Sequence, residues 1–88
     1  MDIATVVRQE LRASLHLKHD DAVADAATLG SLGLDSLDLI DLAFWVGNRL
    51  SKHDRTRVDA VFKQVTVKTT VAELIKALQD AHLDLLPP

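Results

Sequence analysis

The chain has 88 residues, a formal net charge of −3, 48 % hydrophobic residues and no cysteine. That length accommodates one small domain, and so high a hydrophobic content excludes a disordered tail. Without cysteine, neither disulfides nor thiolate metal sites can hold the chain together, so packed helices must supply its stability.

Phe44, Trp45 and Phe62 are the whole aromatic complement, so the core must be built from Leu, Val, Ile and Ala. Arg8, Glu10 and Arg12 interrupt the first apolar stretch, which therefore does not read as a signal peptide, and no segment has the length of a membrane span. The expectation is a cytoplasmic protein with no stable membrane insertion.

Charge is unevenly placed. Residues 20–48 carry six aspartates and no Lys or Arg, whereas residues 49–68 carry six Lys or Arg against two aspartates. An acidic segment of this kind attracts cationic partner surfaces and repels nucleic acid.

In chain order, Ile3, Val6, Val7, Leu11 and Leu15 fall at three- and four-residue intervals, which predicts a helix from Asp2, its N-cap, to about Leu15. His16 to Asp25 is polar and reads as loop. From Ala26 to Asp35, two glycines and the alternating Leu29, Leu32 and Leu34 predict a long loop pinned to the core by its leucines. A second helix starts at Asp35 or Ser36, both capping types, and runs to about Leu50.

After the polar run SKHDRTR, a short helix is predicted around Thr56 to Phe62, with Val58, Val61 and Phe62 on its buried face. Thr70 and Glu73 then form a capping box for a last helix, whose apolar stripe is Val71, Leu74, Ile75 and Leu78. The fold class is therefore all-α: a four-helix bundle of three main helices and one short third helix, with a long ordered loop after the first. The domain covers residues 1–84, and residues 85–88 form a C-terminal tail.

The second helix carries two apolar stripes. Leu39, Leu42, Ala43, Val46 and Leu50 suit a core, while Leu37, Ile40 and Phe44 lie on another face among Asp38 and Asp41. Folding needs only the first stripe, so the second reads as a docking face. Adjacent Phe44 and Trp45 cannot share one narrow stripe; Phe44 belongs at the edge of the docking face, and the position of Trp45 is left open, with the third helix one candidate neighbour.

Ser36, at the passage from loop to helix, should expose its hydroxyl near a helix N-terminus. Such a site favours a phosphate ester. Asp35 and Asp38 would repel a phosphate held against the backbone, whereas a covalently attached phosphodiester projecting into solvent resolves that tension.

The run Leu32-Gly33-Leu34-Asp35-Ser36-Leu37-Asp38 resembles the signature of acyl carrier proteins, and the helix order around it matches nearly the whole chain. The resemblance implies that Ser36 carries a covalent 4′-phosphopantetheine arm, transferred from coenzyme A by a phosphopantetheinyl transferase. The arm would hold acyl or polyketide intermediates as thioesters. It further implies that Asp35, Leu37, Asp38, Ile40, Asp41 and Phe44 meet the transferase, ligase or acyl-transferring enzymes and ketosynthases. Such a chain is a monomeric carrier and not an enzyme; it works by raising the effective concentration of its cargo at each partner.

The chain departs from housekeeping fatty-acid carriers. Gly47, Asn48 and Arg49 replace glutamates late in the second helix, basic residues follow, and no proline lies between Ser36 and Pro87. These differences point to a specialised carrier of secondary or envelope-lipid biosynthesis. The alternatives are an aminoacyl or peptidyl carrier, an unmodified helical adaptor, and a small serine hydrolase. The last is disfavoured because Leu-Asp-Ser-Leu-Asp is not a nucleophile elbow. Ser36 as a simple N-cap is the plainest competing reading. His16 and His19 lack a third metal ligand, and the basic run lacks the aromatics of a nucleic-acid surface, so neither is assigned a site.

Overall fold

Four helices emerge in the order the sequence predicts, in a computed structural model that describes residues 2–15, 23–49 and 55–81. They are α1 (Ile3–Ser14), α2 (Ser36–Asn48), α3 (Arg55–Phe62) and α4 (Val71–Asp80). Among the described residues there is no strand. The polar stretch containing His16 and His19, Leu50 and the tail from residue 82 all lie outside them.

Local chemistry sets the helix starts. The Asp2 carboxylate accepts the Thr5 amide at 2.8 Å and begins α1. At α4 the Thr70 hydroxyl accepts the Glu73 amide at 3.1 Å, while Glu73 Oε1 accepts the Thr70 amide at 3.0 Å. This is the reciprocal box expected from the sequence, and it satisfies two donors that a helix N-terminus otherwise leaves open.

Packing follows a closed circuit: α1 lies against α2 and α4, and α3 against α2 and α4. The core is aliphatic. Val7 and Leu11 of α1 meet Leu39, Leu42 and Val46 of α2, Val58 of α3, and Val71, Leu74, Ile75 and Leu78 of α4. Val58 is fully buried, but Val61 and Phe62, expected on the same face, are only half-buried and pack at the margin of the core. Ala43, assigned to the core stripe of α2, is likewise half-buried.

The loop before α2 is tied down by backbone. Leu29 and Gly30 donate to the carbonyls of Thr69 and Val67 at 2.9 and 2.8 Å, and Val71 and Ala72 donate to Ala27 and Asp25 at 3.0 Å each. Thr28 and Thr70 thus form one isolated antiparallel bridge between this loop and the start of α4. Leu29 and Leu34 are buried and Leu32 half-buried, as the leucine spacing implies. Two glycines permit this path. Gly33 has φ +102°, a left-handed conformation that costs glycine little. A Cβ on Gly30 would lie 3.0 Å from the Val67 carbonyl oxygen.

Two ion pairs lock α1 to its neighbours. Arg8 pairs with Asp25 and reaches the Val23 carbonyl, holding the start of the loop. Arg49, at the end of α2, contacts Glu10 at 3.1 Å and Gln9 at 3.3 Å. Part of the basic segment therefore has an internal structural use.

Candidate functional site

Ser36 is the first residue of α2, and the residue before it does the capping. Asp35 has extended backbone, and its Oδ1 accepts the Asp38 amide at 2.9 Å. Asp38 Oδ2 in turn accepts the Asp35 amide at 2.9 Å. The N-cap reading of Ser36 is thereby excluded. Its side chain is exposed and makes no hydrogen bond among the described residues. Among the described residues the amides of Ser36 and Leu37 also find no acceptor, which leaves two orphan donors of the helix N-terminus beside the hydroxyl.

All seven residues singled out in the sequence fall at this cap and on the first turns of α2. Asp35, Ser36, Leu37, Ile40, Asp41 and Phe44 are exposed. Leu37 and Ile40 are 71 % and 65 % exposed, a state that folding alone does not favour for large aliphatic side chains. Asp38 is half-buried, and its carboxylate turns back to the Asp35 amide. The two aspartates flanking Ser36 therefore spend one oxygen each on the helix start, a use that the charge pattern alone did not reveal.

The second stripe of α2 is divided. Ile40 and Phe44, with Leu39 and Ala43, form one wall of an open cleft of about 620 Å³ that begins at Ser36. The opposite wall comes from α3 and the segment after it: Asp59, Phe62, Lys63, Val65, Thr66 and Val67. Leu37 is not part of the cleft and stands on the outer surface. None of the α3-side residues was singled out as a site in the sequence. The half-burial of Phe62 and Val65, too apolar for surface and too exposed for core, is the only signal they carry.

Trp45 takes a side that the structure settles. It does not pack on α3 but borders a groove with Glu10, Ala13 and Ser14 of α1, and is 51 % exposed. The cause is helix geometry: one residue past Phe44 is a 100° rotation, and with Phe44 at the α3 side Trp45 must turn to α1. The rings meet edge to face, with centroids 5.4 Å apart and planes at 77°.

The resolved electrostatic shifts lie elsewhere. The Thr5 amide holds the Asp2 carboxyl below its ordinary value, and the Thr70 amide does the same for Glu73. Both report on helix caps and not on the Ser36 site. Among the described residues no group of three or more His, Cys, Asp or Glu could hold a metal ion, and no helix is long and apolar enough to cross a membrane.

Chemically, the arrangement offers an accessible primary alcohol, two open amides beside it, and an adjoining cleft with a mainly aliphatic and aromatic lining. Comparison with family models, with curated proteins and with solved structures finds no match for this chain.

Proposed function

We propose that this chain is an acyl carrier protein whose Ser36 bears a 4′-phosphopantetheine arm. The observation that carries the reading is the division of labour at the start of α2. Asp35 and Asp38 complete the cap between themselves, leaving the Ser36 hydroxyl exposed and without a hydrogen bond. A serine retained only to start a helix would be expected in the capping position itself.

The residues present fit the arm. Ser36 supplies the attachment oxygen, and the amides of Ser36 and Leu37 are open to an adjacent anion. The thiol of the arm supplies the thioester linkage on which a carrier depends. Leu39, Ile40, Ala43, Phe44, Phe62 and Val65 would shelter the apolar part of the cargo, which favours acyl or polyketide intermediates over aminoacyl ones.

Leu37, Asp41 and the outer sides of Ile40 and Phe44 form the face offered to the transferase, to ligase or acyl-transferring enzymes and to ketosynthases. The protein acts in this reading as a monomeric cytoplasmic shuttle, not as an enzyme. Arg49, committed to Glu10 and Gln9, stands where housekeeping carriers are acidic, which supports a specialised pathway.

The second reading, an unmodified helical adaptor, rests on the exposure of Leu37, Ile40 and Phe44. Intact mass after incubation with coenzyme A and a broad-specificity phosphopantetheinyl transferase separates the two. A carrier gains one phosphopantetheine, and an adaptor gains nothing.

A further inference from the structure

Ser36 and Lys63 line the same cleft, one at the start of α2 and the other directly after α3. Lys63 is the only cation among the described lining residues. It is exposed and has no ion-pair partner among the described residues, although Asp59 lies one turn before it. Elsewhere in the bundle Arg8 pairs with Asp25, Arg49 with Glu10 and Lys76 with Asp80. Around Ser36 at the start of α2 the formal charges are negative, from Asp35 and Asp38, and they are held by their hydrogen bonds to each other's amides.

A phosphodiester on Ser36 would add one more negative charge at this acidic corner. Charge then favours a direction away from the α2 cap and toward Lys63, with Asp59 as its competitor for that cation. We propose that Lys63 is a positioning residue that pairs with the phosphodiester on Ser36 and draws the start of the arm over the cleft toward α3. This inference rests on the carrier reading. It assigns a role to the basic segment that the partner-facing residues of α2 do not explain. With its first charge held above Phe62 and Val65, an arm would deliver its cargo to the cleft walls instead of trailing in solvent.

The test uses the chain loaded with phosphopantetheine and reads phosphorus NMR, with no enzyme activity involved. In the wild type the phosphodiester resonance should move when ionic strength is raised to about 1 M, where the screening length falls to about 3 Å. Lys63→Met should abolish that movement, and Asp59→Asn, which removes the competing carboxylate, should enlarge it. Lys68→Met serves as the control, because Lys68 is exposed but does not line the cleft. A salt response unchanged in K63M, or lost equally in K68M, overturns the proposal. A loaded chain with an unchanged response in K63M leaves the carrier reading standing, whereas a chain that shows no phosphorus signal after transferase treatment overturns both.

Discussion

Asp35 and Asp38 cap α2 reciprocally, each carboxylate accepting the other's backbone amide at 2.9 Å, with Ser36 held between them and outside the exchange. The pair fixes where the helix starts, and so fixes which residue presents a hydroxyl at its first position. Replacing Asp35 by Ala should cost about 1 kcal/mol of stability, the usual effect of losing an N-cap. Asp35→Asn and Asp35→Ser should restore most of it, because both can accept the Asp38 amide. Urea midpoints at neutral pH check this; a D35A midpoint equal to the wild type would show that the cap is not made in solution.

The two stripes of α2 should respond oppositely to truncation. Leu42 is fully buried, and Leu42→Ala should cost about 2–5 kcal/mol, a large share of the stability of so small a domain. Leu37→Ala and Ile40→Ala, at exposed positions, should change stability by no more than about 0.5 kcal/mol. If that face docks partners, the same two variants should slow transferase modification about tenfold, equivalent to about 1.4 kcal/mol of lost interaction. Variants that are stable and also modified at the wild-type rate would remove Leu37 and Ile40 from the docking face.

Acid should weaken the fold through its helix caps. The Thr70 amide lowers the Glu73 carboxyl from its ordinary 4.5, and the Thr5 amide lowers Asp2 from 3.8. Both carboxyls ionise more readily folded than unfolded, so their contribution is complete above those ordinary values and disappears as pH falls through the lowered folded ones. Glu73→Gln keeps an acceptor for the Thr70 amide without titrating. Its denaturation midpoint should therefore fall less than that of the wild type on acidification below 4.5. Equal losses would contradict the role given to the ionised cap.

Close contact between the loop and the segment before α4 makes Gly30 intolerant of a side chain. A Cβ there meets the Val67 carbonyl oxygen at 3.0 Å and the Val67 Cβ at 3.1 Å. Gly30→Ala should cost about 1–3 kcal/mol as the Val67 segment is pushed away. Because Val67 lines the cleft, amide exchange at Thr66 and Val67 should quicken as well. An unchanged exchange rate would mean that the stitch between the two segments is looser than the 2.8 Å bond from Gly30 to Val67 implies.

Features governed by neighbours in sequence were legible before the structure. The caps at Asp2 and at Thr70 with Glu73 depend on residues three positions apart, and the leucines at 29 and 34 announce their burial by spacing against glycine. The exposed hydroxyl of Ser36 at a helix start was legible because loop, helix start and acidic flank converge on it. The box between Asp35 and Asp38 was harder to read, since Asp at the third helical position is shorter than the usual Glu or Gln. The cleft could not be read at all. It exists only because α3 and Val65 to Val67 are brought against α2 from about twenty residues away, and no local pattern records that approach. The side Trp45 takes was open for the same reason: its turn toward α1 follows from which side of α2 meets α3.

The most direct measurement is fragment mass mapping of the chain after reaction with coenzyme A and a phosphopantetheinyl transferase, run beside Ser36→Ala. The carrier account predicts a single added phosphopantetheine on the fragment containing Ser36, and no addition to S36A although its helical circular dichroism is unchanged. A wild-type chain that stays unmodified, or a modification that persists in a folded S36A, would contradict it.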